Sequence, residues 1–146
     1  MPAAPNKVSA RIVFLTRDRV LLANRRGESW YFLPGGHVAA GETVEVALRR
    51  ETTEATGLHV GDLQFLGCAE HSYQEKGIRV HELNVLFVAE LPWGAEIGSR
   101  EDDVHITSIA IGSLDGIDLR PVSLTGAIIE WRATHRPLWR GTRAGR

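Results

Sequence analysis

Residues 36–58, GHVAAGETVEVALRRETTEATGL, constrain the fold more than any other stretch, because their order predicts a loop that leads into a helix. Thr43 suits the N-cap, where a side-chain oxygen accepts a hydrogen bond from a backbone N–H of the first turn. Gly57 suits the C-terminal end, since glycine adopts the left-handed conformation at little cost. Three glycines supply a turning backbone ahead of the helix: Gly35, Gly36 and Gly41.

The predicted helix places charges where an apolar surface is expected. Its apolar face comprises Val44, Ala47, Leu48 and Ala55. Glu51 projects from that face at about 100° per residue, and Glu54 lies on its flank. Carboxylates on adjacent helical turns can converge on one hard cation, and Arg50 can hold a carboxylate in one orientation. The alternative is a solvated charged face with ordinary ion pairs.

The order of glycines and charges resembles the signature of the Nudix hydrolases, G-x5-E-x7-R-E-U-x-E-E-x-G-U, in which U is a bulky apolar residue. The matching positions are Gly36, Glu42, Arg50, Glu51, Glu54, Gly57 and Leu58. Flanking segments that extend the resemblance are residues 10–24, LPGGH at 33–37, HELNVLF at 81–87 and LRP at 119–121. The chain is therefore identified as a member of this family, and the resemblance implies the Nudix fold.

Two positions of the signature depart from the family pattern. Thr52 replaces the apolar residue that follows Arg50 and Glu51, a mild change because a threonine methyl can still pack. Ala55 stands where the pattern has the second glutamate of the E-E pair, which in the family commonly ligates the metal. Magnesium tolerates the loss in principle, since it keeps several waters and borrows phosphate oxygens from the substrate.

The resemblance implies a Mg²⁺- or Mn²⁺-dependent hydrolase that cleaves the pyrophosphate linkage of a nucleoside diphosphate joined to another group. Gly36, Glu51 and Glu54 would hold the metal, with Glu51 also a candidate base, and Arg50 would orient the carboxylates. The substrate class stays open among nucleoside triphosphates, nucleotide sugars, ADP-ribose and dinucleoside polyphosphates. A metal-poor, catalytically weak or inactive nucleotide-binding regulatory domain is the alternative that Ala55 raises, and a structural domain with incidental charges is a third.

Several residues outside the signature are weaker candidates. His37 could face a phosphate or serve as a structural hydrogen-bonding group. Glu82 could reach into the site or be solvated on an exposed strand face. One member of an acidic loop could add a ligand or a base, and a polar loop is the alternative: Glu101, Asp102 and Asp103. Aromatic side chains could stack on a nucleobase or pack in the core: Trp30, Tyr31, Phe32 and Trp93.

Length and composition limit the remaining alternatives. The 146 residues suit one domain, with mobile tails expected at about residues 1–6 and 140–146. The balance of 17 basic and 18 acidic side chains predicts no general attraction to nucleic acid or to membranes. Cys68 is the single cysteine, which excludes an internal disulfide, and we expect it to be a small buried group. No long apolar run occurs, so a cytoplasmic location is expected. Oligomeric state stays open, with a homodimer among the alternatives.

Hydrophobic periodicity predicts strands interleaved with two helices. The strand-like segments are residues 8–15, 19–23, 30–33, 58–68, 78–91 and 105–111, with a turn at Arg17-Asp18. Pro121 suits the first turn of a second helix, in which Leu124, Ile128 and Trp131 recur at helical spacing. This pattern predicts an α/β fold of the α+β kind, a mixed sheet sandwiched between helices.

Overall fold

The computed structural model of the chain describes residues 6–92, 94–99 and 101–141. Within them lie nine strands, two α-helices and a 3-10 helix. In chain order these are β1 (Asn6–Thr16), β2 (Arg19–Arg25), β3 (Trp30–Phe32), β4 (Gly35–His37), α1 (Val44–Thr56), β5 (Gln64–Glu75), β6 (Ile78–Glu90), β7 (Val104–Ala110), the 3-10 helix (Ile111–Gly116), β8 (Asp118–Leu119), α2 (Ser123–Thr134) and β9 (Leu138–Arg140). The predicted tails lie mostly outside the described residues, although Asn6 begins β1 and Arg140 ends β9.

The strands form one mixed sheet in the order β8-β3-β2-β1-β6-β5-β9, with β4 also paired to β1 and β7 to β2. The pairs β1–β6, β3–β8 and β5–β9 are parallel, and the other pairs are antiparallel. Helix α1 covers one face through Leu48, which packs with Ile12 and Phe14. Helix α2 covers the other face, where Ile128 and Trp131 pack in the same core cluster as strand residues of the sheet. The predicted mixed sheet between helices is confirmed.

One predicted strand begins later than expected. Residues 58–63 are irregular, and β5 begins at Gln64. The backbone of this segment is held by a side chain instead of by a neighbouring strand: the Arg49 guanidinium donates to the carbonyls of Val60 at 2.6 Å and Gly61 at 3.1 Å. Cys68 on β5 is only partly buried, and that burial raises the pKa of its thiol. No helix in the described ranges has the length and apolar character needed to cross a membrane.

The register at the centre of the sheet decides which side chains meet. Ser9 of β1 lies opposite His37 of β4 on one side and opposite Asn84 of β6 on the other. One step along the same face, Arg11 lies opposite Gly35 and Leu86. Because alternate residues of a strand share a face, this end of the sheet brings polar groups from three strands together.

Candidate active site

Helix α1 begins and ends where its capping residues predict. The Thr43 hydroxyl accepts a hydrogen bond from the Val46 N–H at 3.2 Å, which satisfies one donor of the first turn. Gly57 ends the helix in the left-handed region at a φ of 76°. Thr52 is fully buried, as expected of a residue that packs by its methyl, although its hydroxyl lacks a hydrogen-bond partner among the described residues.

Gly36 lies directly against the Glu51 carboxylate. A Cβ placed on Gly36 would lie 2.5 Å from Glu51 Oε2 and would overlap the carboxyl carbon of the same side chain. Its neighbour Gly35 has a φ of 137°, and a Cβ there would overlap the Ala10 carbonyl. Both glycines are therefore required by the close approach of the loop, one to α1 and the other to β1.

Arg50 links three of the carboxylates that the signature contains. Its Nε and Nη2 donate to the two oxygens of Glu42 at 2.7 and 2.9 Å, a bidentate arrangement. Its Nη1 reaches Glu51 Oε1 at 3.0 Å and Glu54 Oε2 at 3.4 Å. Hydrogen bonds from Arg50, and then from the Ala39 N–H, lower the pKa of Glu42 to about 2. Glu42 thus holds the guanidinium in place, and the guanidinium meets Glu51 from one side.

Glu51 and Glu54 occupy different surroundings. Glu51 lines a cavity of about 670 Å³, and its side chain is 26% exposed. Glu54 is 60% exposed and does not line that cavity. Ala55 does line it, beside Glu51, so the departure from the family pattern places a methyl group on the cavity wall. The two predicted metal-binding carboxylates share Arg50 but do not both face the cavity.

Glu82 is part of the cavity wall and is almost completely buried. Only 6% of the residue is exposed, so the interpretation of a glutamate on a solvated strand face is wrong. Ser9 Oγ donates to its Oε2 at 2.8 Å, and Asn84 Nδ2 donates to its Oε1 at 3.2 Å. A buried carboxylate requires such partners. Its strand carries apolar residues on both faces, so the sequence pattern alone could not decide between the inward and the outward direction of Glu82.

Arg11 supplies a partly buried positive charge that the sequence analysis missed. It lines the same cavity, and its Nη1 donates to the Leu33 carbonyl at 3.1 Å. Burial lowers the pKa of Arg11, while the negative charges of Glu82 and Glu51 act in the opposite direction. A guanidinium has five N–H donors, and a charge placed between the apolar neighbours Ala10 and Ile12 was the available signal. The cavity therefore contains both signs of charge.

Two of the predicted aromatic side chains line the cavity, and each lies beneath an arginine. Arg120 lies over the Trp30 ring, with its Cζ 5.2 Å from the centroid, and Arg25 lies over the Phe32 ring at 5.3 Å. The two rings are 5.7 Å apart. Tyr31 instead packs against the core beneath α2, and Trp93 lies outside the described residues. Cation–π contacts of this kind fix both partners in place.

The acidic loop and His37 contribute one group each to the cavity wall. Of the three loop acids, Glu101 lines the cavity, whereas Asp103 forms a 3.7 Å ion pair with Arg25. His37 also lines the cavity, and its Nδ1 lies 3.0 Å from Ser9 Oγ. Glu101 is exposed, so it reaches the cavity from the solvent side.

The donor groups at Gly36 and Glu51 have the chemistry that a magnesium ion prefers. In the described part of the chain, no three acidic, histidine or cysteine side chains converge closely enough to enclose a metal by themselves. Magnesium does not need such an enclosure, because it binds through one or two carboxylates and completes its shell with water and phosphate oxygens. The partly exposed Glu51 carboxylate, oriented by Arg50 and open to the cavity, fits this requirement.

Comparison with known proteins identifies the family of the chain. The family model described as NUDIX domain matches residues 5–115. The chain is 33% identical over 88 residues to a protein of Methanocaldococcus jannaschii named ADP-ribose pyrophosphatase, a match that covers 58% of this chain and 50% of that protein. It is 36% identical over 108 residues to the NAD-capped RNA hydrolase NudC of Pseudomonas aeruginosa, covering 69% and 35%. The chain thus spans about half or less of the length of these two relatives.

The fold is shared with solved structures as well. A structure titled as the mutator MutT protein from Bacillus halodurans superimposes with a TM-score of 0.74 at 18% identity, covering 91% of this chain and 86% of that one. At this identity the likeness concerns the fold. Together with the family match over most of the chain, it shows that this protein belongs to the Nudix hydrolase family.

Proposed function

We propose that the chain is a metal-dependent hydrolase that cleaves the pyrophosphate linkage of a nucleoside diphosphate joined to another group. The observation that carries the proposal is the contact between Gly36 and Glu51 on the wall of a cavity of about 670 Å³. A cavity of that volume suits a small ligand, for which about 300–1,000 Å³ is usual. The names of the relatives, ADP-ribose pyrophosphatase and NAD-capped RNA hydrolase, support a nucleotide substrate.

Glu51 and the backbone of Gly36 would hold Mg²⁺ or Mn²⁺. Glu54, which contacts the same Arg50 nitrogen as Glu51 and is more exposed, would be a further ligand. A bound divalent cation neutralises phosphate oxygens and lowers the pKa of a coordinated water. Arg50 keeps Glu51 in one orientation through the contact at 3.0 Å. Glu51 is also our candidate for the base that accepts a proton from the attacking water.

The cavity offers separate groups for the charged and the aromatic parts of a nucleotide. Within the described residues Arg11 forms no ion pair, so it can donate to phosphate oxygens without first giving one up. Trp30 and Phe32 present rings on which a base can stack. This division is consistent with a nucleoside diphosphate group bound along the cavity, with phosphates nearer Glu51.

The first experiment is a substrate panel with and without metal. Nucleoside triphosphates, nucleotide sugars, ADP-ribose and dinucleoside polyphosphates are incubated with the protein in excess Mg²⁺ and in excess chelator, and released phosphate and nucleotide are measured. We expect turnover of at least one class with metal and none with chelator, because Glu51 and Glu54 cannot neutralise a pyrophosphate. Undiminished turnover in chelator would contradict the metal requirement.

A nucleotide-binding regulatory domain with little or no turnover is the alternative, and the Ala55 methyl on the cavity wall favours it. Binding of a nucleotide without release of any product across the same panel would establish it. The comparison of binding with turnover therefore separates the two functions in one protein preparation.

Ala55→Glu tests whether the missing carboxylate limits metal affinity. Because residue 55 lines the cavity beside Glu51, a glutamate there adds an oxygen ligand, and the Mg²⁺ concentration for half-maximal rate should fall. The dependence of rate on Mg²⁺ concentration is measured for both proteins at saturating substrate. An unchanged requirement would mean that another group, such as Glu101, already occupies that coordination position.

A further inference from the structure

Ser9 lies between a carboxylate and an imidazole. Its hydroxyl is fully buried, 2.8 Å from Glu82 Oε2 and 3.0 Å from His37 Nδ1. The other oxygen of Glu82 accepts a hydrogen bond from Asn84 Nδ2, which also donates to the Ala69 carbonyl at 3.3 Å. The register of β4, β1 and β6 places these residues side by side, so the network is built into the sheet.

The donors and acceptors of this network can be arranged in one way when Glu82 is ionised. A carboxylate only accepts hydrogen bonds, so the single Ser9 hydroxyl hydrogen is directed to Glu82. The Ser9 oxygen then has only lone pairs to offer to His37, and the hydrogen between them must belong to Nδ1. The neutral imidazole therefore carries its proton on Nδ1, and Nε2 is left as an acceptor.

We propose that Ser9 is a positioning residue through which Glu82 fixes the Nδ1–H tautomer of His37. Within the described residues no group hydrogen-bonds to Nε2, and His37 lines the cavity. Neutral His37 thus presents an acceptor to the ligand and selects a hydrogen-bond donor, such as a hydroxyl or amine group, over a phosphate oxygen. This choice of ligand group rests on the proposed function, whereas the tautomer does not.

The tautomer is read directly from two-bond proton–nitrogen correlation spectra of ¹⁵N-labelled protein, at a pH at which the His37 ring is neutral. His37→Gln assigns the signal, and the exposed His105 serves as an internal control. We expect a protonated Nδ1 and an unprotonated Nε2 in the wild-type protein. A protonated Nε2 would overturn the proposal without any variant being needed.

Two variants test the route through Ser9. Ser9→Ala removes the link, so the fixed tautomer should give way to the averaged signals of an unconstrained ring. Glu82→Gln should reverse it: the new amide oxygen accepts from Asn84, its NH₂ donates to Ser9, and the Ser9 hydroxyl then donates to Nδ1. Retention of the wild-type pattern in both variants would overturn the role of Ser9.

Ligand titrations in the same spectra, without metal, test the selection of a donor. Adenosine monophosphate should shift the Nε2 signal, and inorganic pyrophosphate, which is an acceptor, should not. The titration is repeated with 2′,3′-dideoxyadenosine monophosphate, which lacks both ribose hydroxyls. Loss of the shift means that the donor is a sugar hydroxyl, and a persisting shift means that it is the amine of the base. A shift with pyrophosphate equal to that with the nucleotide would overturn the selection, while an intact tautomer with no nucleotide binding at all would count against the proposed function instead.

Discussion

Glu51→Gln is expected to lower kcat by roughly a hundredfold to ten-thousandfold, the usual cost of losing a general base or a ligand of comparable importance. Glutamine keeps the size of the side chain and removes its charge, so the effect falls on the chemical step. Arg50 retains both hydrogen bonds to Glu42, so the thermal midpoint should stay close to that of the wild type. The measurement is kcat at saturating Mg²⁺ and substrate, together with a thermal melt.

Glu45→Gln is the matched control for this variant. Glu45 lies in the first turn of the same helix, is exposed and pairs with Arg49 at 3.3 Å, away from the cavity. An exposed pair of this kind contributes little to stability, so both kcat and the melt should be unchanged. Near-normal turnover in Glu51→Gln would remove Glu51 from the catalytic assignment altogether.

Gly36→Ala is expected to reduce kcat by about a hundredfold, the loss that a displacement of about 1 Å at a reacting group can cause. The added Cβ would overlap the Glu51 carboxyl group, which must then move away from the loop. The thermal midpoint should change little, because the obstructed group is the end of a flexible side chain. Gly61→Ala is the control, since a Cβ there meets nothing within 4 Å.

The double variant Gly36→Ala with Glu51→Gln shows whether the glycine acts through Glu51. If it does, the double variant loses no more activity than Glu51→Gln alone, because the two changes affect one interaction. Multiplication of the two losses would instead mean that Gly36 serves the reaction independently of Glu51.

Helix α1 could be predicted from the sequence because its caps and its charge spacing follow local rules. Thr43 and Gly57 signal the helix ends within one turn, and Arg50 lies near its carboxylate partners in the chain. The contribution of the sheet to the cavity wall could not be predicted in this way. Arg11 and Glu82 both line the cavity because β1 pairs with β6 in parallel, a long-range pairing that no local sequence pattern indicates. Glu82 was a candidate from the sequence, but its direction stayed open because its strand carries apolar residues on both faces.

The parallel pairing of β1 with β6 has a consequence for how the protein is made. Strand β1 can pair with β6 only after residues 78–90 have been synthesised. The two strands are joined by a long crossover that includes all of α1. Contacts between residues far apart in sequence form slowly, because the intervening loop must be closed first. A nascent chain that has emerged only as far as Leu58 already carries the whole signature but lacks β6, the strand that supplies Glu82 to the cavity wall. The cavity is therefore completed late in synthesis, because its wall combines the signature segment with strands that lie far from each other in the sequence.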